Sequence, residues 1–518
     1  MAPPAPPSVE VELKFAISPE HGARLGSLPV VQAAVHRRAL TRTLHSIYYD
    51  TPDFALRREG CALRLRKTGG RWVQTVKRAG TAEAGLEQRE EFETPLPAQV
   101  LNFPALVASG ASAVFNDAQT RRALRPVFVT DFKRTSRDLA LPSGAVIELA
   151  YDRGGITAGD AGAGVSEIEL ELKAGDPLEL LEFAHQLAEA MPLRLEPRSK
   201  AQRGYELAAD VRPAPVKAVT PALSPEMSVT DAFRAVVLGC IAQLQANEQG
   251  VLDGADYEYL HQARVAVRRL RSALSVFSRA FPKPAFLRQV GELRWLSGYL
   301  GPARDWDVLT LEALPEIAAA LPGESGLHVL LERAARLRAD ADRAARDALA
   351  SSRYTIALLQ FVSALHRQPW LALEDEQAAA MRSRPLPEFA QGVLSRRHKR
   401  VRKAGRGHAE LDAAGLHLLR IEIKKLRYAA EFFSRLWERK AVRDYTAALA
   451  GLQELLGSLN DATTAERLCE ALRDPAGGPD GAEALGLVRG WAAGTARAQL
   501  ARLPEVWDAF RDTACFWE

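Results

Sequence analysis

The chain has 518 residues, 68 Lys+Arg against 64 Asp+Glu and a formal net charge of +4, so it exceeds one compact core and any electrostatic function must sit in local clusters. Its 47% hydrophobic and 25% charged residues are the balance of a folded chain, not a disordered one. The four cysteines, Cys61, Cys240, Cys469 and Cys515, lie far apart with no CxxC pair, which argues against a disulfide framework or zinc ribbon and for a reducing compartment.

Residues 1–8 are Pro-rich and are expected to be a disordered tail. The start MAPPAPPSVEVELKF has neither the basic nor the apolar region of a signal peptide. No run approaches the roughly 18 apolar residues of a membrane helix, so a cytoplasmic protein without a membrane partner is expected. Over 9–209, VEVELKF, CALRLRK, RWVQTVK, LEQREEFE, AVIELAYD and SEIELEL alternate apolar and polar residues, the signature of strands. Gly69–Gly70 and Gly154–Gly155 are expected turns, and helices are expected after Ser18 and over Pro177–Ala190. Residues 210–228, DVRPAPVKAVTPALSPEMS, form a Pro-rich linker. From 229 to 518 the period becomes helical, with breaks expected at Pro282–Pro284, Gly301–Pro302, Pro322–Gly323, Pro385–Pro387 and Pro475–Pro479. Within this half LHQARVAVRRLRSALSVF (260–277) matches LHLLRIEIKKLRYAAEFF (416–433), and YLGPARDWDVL (299–309) matches LLGSLNDATTA (455–465). His261 and His417, like Asp305 and Asp461, stand 156 residues apart. One shared offset for two separate matches implies a duplicated, pseudo-symmetric pair of helical bundles.

The strands carry their charges on one face. Glu10, Glu12 and Lys14 share a face, as do Arg64 and Arg66, then Glu87, Arg89, Glu91 and Glu93, then Glu148 and Asp152, then Glu167, Glu169 and Glu171, with Lys77 beside them. Acidic strands and basic strands with apolar backs fit one sheet wrapped around a polar channel. Guanidinium and ammonium groups grip phosphate oxygens, and carboxylates beside them call for a divalent cation of the Mg²⁺ or Mn²⁺ kind. With no P-loop and no Cys or Ser nucleophile motif, metal-assisted phosphoryl transfer to water is the natural reaction class.

Residues 9–209 resemble the CYTH, or triphosphate tunnel metalloenzyme, superfamily. They carry its ExExK motif as Glu10-Val11-Glu12-Leu13-Lys14, followed in order by YYDTPDFALRREGCALRLRK, TVKR, LEQREEFE, DFKRT, IELAYDRG, SEIELELK and SKAQRGYEL. The order looks like that of the bacterial inorganic triphosphatase branch. The resemblance implies an α+β chain that opens with an eight-stranded antiparallel β tunnel with flanking helices. It implies phosphate grips at Arg64, Arg66, Lys77, Arg89, Arg134, Lys200 and Arg203, the last equally readable as a structural pair. It also implies catalytic positions at Glu10, Glu12, Lys14, Glu167 and Glu169. By the same resemblance the four glutamates would hold Mg²⁺ or Mn²⁺ or position water, with Glu91, Glu148, Asp152 and Glu171 in support. Tyr48, Tyr49 and Asp50 match too, and their simpler reading is an aromatic packing pair at a strand end.

On the helical half, His261, Arg264, Arg268 and Arg271 fall within about an 80° arc opposite the apolar residues, and His417, Arg420, Lys424 and Arg427 repeat the pattern. The run SRRHKRVRKAGR (395–406) adds seven cations and no acid, a polyanion signal. The stripes lack aromatics for stacking on bases, so nucleic acid is disfavoured against an all-phosphate ligand. Residues 229–518 resemble the CHAD domain, named for its histidines and helices, through these same motifs. That resemblance implies an all-α domain binding inorganic polyphosphate through the eight stripe residues. Arg269 and Lys425 lie about 80° off the stripe, Asp305 and Asp461 are expected to orient the cations, and Asn460 stands where the first copy has Arg304. The joint expectation is an enzyme hydrolysing tripolyphosphate to diphosphate and phosphate, tethered to a domain that binds long-chain polyphosphate or targets its granules. The alternatives are a non-catalytic polyphosphate receptor and a hydrolase of thiamine triphosphate or a nucleotide.

Overall fold

The alternating segments become strands that close on themselves. In the computed structural model, which describes residues 8–83, 85–210, 213–473 and 478–518, ten strands occur: β1 (Ser8–Ala16), β2 (Leu40–Asp50), β3 (Cys61–Thr68), β4 (Arg71–Arg78), β5 (Thr81–Glu83), β6 (Leu86–Leu96), β7 (Arg125–Ala140), β8 (Val146–Ala158), β9 (Ala161–Ala174) and β10 (Arg194–Leu195). Their order is β10-β1-β9-β8-β7-β2-β3-β4-β6-β5, and a further β1–β6 pairing joins the ends. Eight antiparallel strands therefore close into a barrel, with β5 and β10 as short appendages, followed in the chain by helices; the α+β expectation holds. Closure removes the free edges of so long a sheet. The expected tail falls mostly on residues 1–7, outside those described, as do 211–212 of the linker.

Register sends one parity of every strand inward. Glu10 stands opposite Arg89, Glu12 opposite Glu87 on one side and Glu171 on the other, and Lys14 opposite Glu169. Lys77 stands opposite Glu91, and Arg134 opposite Asp152. The other parity faces outward onto apolar layers: Leu13, Phe15, Leu63, Leu65, Leu149, Ile168 and Leu170 are fully buried. Gly69–Gly70 make the expected turn, both with positive φ. Gly154 and Gly155 do not. They lie inside β8, and the turn comes later at Gly159, in the left-handed region. The reason is a close approach, since a Cβ on Gly154 would stand 2.0 Å from the Asp131 carbonyl oxygen and 2.5 Å from Phe132.

The chain divides into two compact units, residues 1–214 with 350–367, and residues 215–349 with 368–518. The first unit includes a segment expected to belong with the helical half. The helix Ser352–Arg367 buries Tyr354, Leu358, Phe361 and Leu365 and packs on the helix Pro177–Ala190. Thr355 donates to the Leu193 carbonyl (2.7 Å), Gln360 meets His185 (3.0 Å), and Arg367 pairs with Glu182. Burial of two apolar helix faces against each other explains the assignment; nothing in the local periodicity of 352–367 names its partner.

The second unit is helical. Its long helices include Val229–Asp253, Tyr257–Val276, Leu287–Asp307, Leu386–Ala404, Ala413–Phe433, Arg439–Leu472 and Gly478–Asp512. The helices carrying His261 and His417 pack on each other, around a core that includes Phe233, Phe277, Phe281, Phe389 and Phe433. The expected break at Gly301–Pro302 does not occur. Pro302 sits inside Leu287–Asp307, where burial of Leu293, Leu296, Leu300 and Ala303 outweighs one lost backbone bond; the irregularity comes afterwards, as a π-turn at Val308–Ala313. Of the Pro475–Pro479 break, 474–477 lie outside the described residues and Pro479 opens the last helix. Part of the expected linker is anchored, because Asn247 exchanges two 2.9 Å hydrogen bonds with the Val216 backbone and Leu223 is buried. Among the described residues no helix is long and apolar enough to cross a membrane.

Candidate functional site

The barrel encloses a cavity of about 640 Å³. Its lining includes ten of the residues singled out from the sequence: Glu10, Glu12, Lys14, Arg64, Arg66, Lys77, Arg89, Arg134, Glu169 and Lys200. Glu167 and Arg203 stand behind this wall, joined to each other by an ion pair. The supporting Glu91 and Glu171 line the cavity as well.

The charges form two clusters. In the first, Lys77 donates to Glu10 (2.6 Å) and lies 3.4 Å from Glu91, which also receives Arg64 (3.1 Å). Arg89 bridges Glu12 and Glu87, and Lys14 reaches both of the same carboxylates. Burial pushes the Glu12 carboxyl up, but Lys14, Lys77 and Arg89 together outweigh it and hold the carboxyl down at about 2. For Lys14 burial wins, bringing the ammonium down to about 8 despite Glu12. Burial and the neighbouring Arg64 bring Arg66 down to about 10. A pocket in which cations are this crowded gains from an anion.

In the second cluster Arg134 grips Asp152 with two bonds (2.8 and 2.6 Å) and reaches Glu169. Lys200, the first residue of the helix Lys200–Ala208, projects among Asp152 (2.7 Å), Glu169 (2.7 Å) and Glu167. Burial opposes both charges here, yet Arg134 and Lys200 hold Glu169 well below the carboxylate range, and the three carboxylates hold Lys200 above the usual lysine value. Oxygens of Asp152, Glu167 and Glu169 lie within 4.8 Å of one another, the described residues grouped closely enough to share one ion. Three hard oxygen donors with no thiol or imidazole fit Mg²⁺ or Mn²⁺. Glu10 and Glu12, expected as ligands beside Glu167 and Glu169, belong to the first cluster, while Asp152, expected only in support, joins the glutamates because register places it opposite Glu167.

Sequence reasoning passed over Arg57, Lys173 and Tyr205 in the cavity wall, and read Tyr48 as packing alone. Tyr48 does stack on Phe128 (4.4 Å), but it also faces the cavity. Burial notwithstanding, Arg64 and Arg66 hold its phenol below the usual value. Its place two residues from Ser46, which accepts from Arg66 (3.0 Å), is the parity signal that finds it.

In the second unit, Arg264 and Arg268 from one helix and Arg420 and Lys424 from the other converge. Burial, then Arg268, Arg420 and Arg264, bring the Lys424 ammonium down to about 6, and burial with Arg268 brings Arg420 to about 10. Asp305 lies 3.8 Å from Arg264 and 2.9 Å from Arg467, and Asn460 accepts from Arg420 (2.7 Å). His261 is half-buried with Nδ1 unpartnered; burial, then Arg304, holds its pKa down. The remaining stripe residues are placed differently. His417 is exposed, Arg271 is exposed beside Ser297 (3.5 Å), and Arg427 is tied to Glu431 (2.7 Å). Arg269 and Lys425 turn to Glu431 and Glu422.

Two family models match, the CYTH domain over residues 8–205 and the CHAD domain over 235–470. An inorganic triphosphatase of Haemophilus influenzae is 33% identical over 205 residues, which are 38% of this chain and 54% of that protein, so the chain spans about half the length of this relative. An uncharacterised protein of Mycobacterium tuberculosis is 29% identical over 462 residues, 82% of both chains. The crystal structure of the CHAD domain from the plant Ricinus communis is 34% identical, covers 58% of this chain and 98% of that one, and superposes with a TM-score of 0.51.

Proposed function

Since the chain belongs to the CYTH family over residues 8–205 and to the CHAD family over 235–470, we propose that it is a divalent-metal-dependent inorganic triphosphatase whose helical unit binds inorganic polyphosphate. The observation that carries the reading is the barrel interior. Arg64, Arg66, Lys77, Arg89, Arg134 and Lys200 line one cavity together with carboxylates, and one of these, Glu169, stands close enough to Asp152 and Glu167 behind it for the three to share an ion. A bare anion trap gains nothing from that many buried carboxylates. The triphosphatase activity of the Haemophilus relative, 33% identical across this region, supports the same reading.

In this mechanism Arg64, Arg66 and Arg89 hold phosphoryl oxygens of a linear triphosphate, and their fixed positions align the chain for in-line attack. Asp152, Glu167 and Glu169 would hold Mg²⁺ or Mn²⁺, which supplies neutralisation of the charge developing on the transferring phosphoryl group. Lys200 and Arg134 keep Glu169 ionised. Glu12, held at about 2, stays charged at neutral pH and accepts hydrogen bonds, while Lys14 donates to it and to Glu87. The products are diphosphate and phosphate.

In the helical unit the Arg264, Arg268, Arg420 and Lys424 cluster is the phosphate seat, with His261 as a neutral hydrogen-bond donor. Phosphate release from tripolyphosphate, ATP, thiamine triphosphate and long polyphosphate, with Mg²⁺ or Mn²⁺ and with chelator, tests the whole. Fast release from tripolyphosphate alone, abolished by chelator, is expected. No release from any substrate refutes the enzyme and leaves a two-site phosphate binder.

A further inference from the structure

The basic run at 395–406 takes no part in the site above, and the structure gives it a position. We propose that the cationic track of the His261 helix continues past Arg271 onto a second anion seat made by Arg279, Arg384, Arg396 and Arg400, and that this seat takes the far end of a long inorganic phosphate chain. The inference rests on the polyphosphate reading of the helical unit and adds to it a preference for long chains.

Three segments converge to make the seat. Arg397 donates to the Ser275 carbonyl (3.0 Å) and hydroxyl (2.8 Å), docking the helix Leu386–Ala404 on the end of the His261 helix. Arg382 donates to the Ala280 carbonyl (2.7 Å), and the Phe277 and Phe389 rings stack 5.5 Å apart. Arg264, Arg268, Arg271 and Ser275 fall within about a 60° arc of one helix and span about 16 Å. The docking point of the basic run is therefore the end of the phosphate stripe.

The arginines around that point are uncompensated. Arg279, Arg384 and Arg400 are exposed and Arg396 is half-buried, and none of the four makes an ion pair among the described residues. Burial, then Arg279, Arg397, Arg400 and Arg384, brings Arg396 down to about 10, the mark of cations crowded without an anion. Cations at a helix C-terminus can simply answer the last carbonyls. Here Arg397 already answers the Ser275 carbonyl and Arg382 the Ala280 carbonyl just beyond the helix, and the four others are left over. The exposed aromatics of the described chain, Phe103, Tyr257 and Tyr299, belong to other segments, so nothing at the seat stacks on a base. A chain of phosphates satisfies it.

The test uses the full-length protein, with anisotropy of end-labelled long-chain polyphosphate over a salt series. The variants are Arg396→Ala/Arg400→Ala and, separately, the loop pair Arg279→Ala/Arg384→Ala. Far-UV circular dichroism melting serves as the control for folding of the helical unit, and tripolyphosphate hydrolysis as the control for the barrel. Each pair should weaken long-chain binding about tenfold and flatten the salt slope by about one per arginine removed, leaving hydrolysis unchanged. Wild-type affinity and slope in both folded variants overturn the inference alone. A wild-type protein that binds no long chain overturns the polyphosphate reading and the inference with it. Duplex DNA binding at this seat more tightly than a phosphate chain of equal charge also overturns it.

Discussion

Lys424 is a charge the fold is better off without, and removing it should stabilise the protein while weakening its ligand binding. Its ammonium falls from 10.5 to about 6 through burial and the Arg268, Arg420 and Arg264 charges. At pH 7 the unfolded chain holds that proton and the folded chain mostly does not. Each unit of difference is worth about 1.4 kcal/mol, so the gap between pH 7 and 10.5 caps the penalty near 5 kcal/mol. The group retains some solvent contact, which screens the effect, and about 2 kcal/mol is expected in practice, in line with exchanges of buried charges for apolar isosteres. Lys424→Met should therefore raise the thermal midpoint of the helical unit by about 4–8 °C near pH 7. The folded pKa is depressed, so the penalty is full below pH 6 and fades as pH rises toward 10.5; the advantage of the variant should shrink in the same window. Far-UV circular dichroism melts at pH 6, 7.5 and 9 read this directly, and polyphosphate titration should show weaker binding by the same variant. A midpoint that is unchanged or lower at pH 6, or an advantage that grows with pH, refutes the reasoning.

Three further outcomes are expected. Glu167→Gln should keep tripolyphosphate binding and lose about a hundredfold or more in metal-dependent phosphate release; release at the wild-type rate would remove Glu167 from the chemistry. Lys14, brought to about 8, carries its charge below that pH, so kcat/KM should fall as pH rises through about 8, and Lys14→Arg should move that limb upward. A profile in Lys14→Arg identical to wild type would assign the limb to another group. Thr355→Val leaves the buried Leu193 carbonyl without its donor and should cost the barrel unit about 1–2 kcal/mol, seen as faster heat inactivation of triphosphatase activity; no change would show that the helix Ser352–Arg367 does not support the barrel.

The alternation of strands and the parity of their charges were decided by sequence alone. A strand has period two, so once Leu13 and Phe15 are committed to the apolar layer, Glu10, Glu12 and Lys14 must face the other way; the same logic puts Arg64, Arg66, Arg89 and Glu169 on the inward face. The matched stripes of the two repeat helices were legible for the same reason, because a helix face is a local property. What tertiary structure decided is everything that depends on which face meets which. Whether β1 meets β6, and so whether the barrel closes, is a long-range pairing. Asp152 joins Glu167 and Glu169 through register between separate strands and through Lys200, which arrives from a helix outside the barrel. Arg269 pairs with Glu431 of the facing helix (2.8 Å), a partner that the packing and not the period supplies. The helix Ser352–Arg367 carries an apolar face that any apolar partner satisfies. Hydrophobic attraction has no direction, so its assignment to the barrel unit waits on the folded shape of the helix Pro177–Ala190.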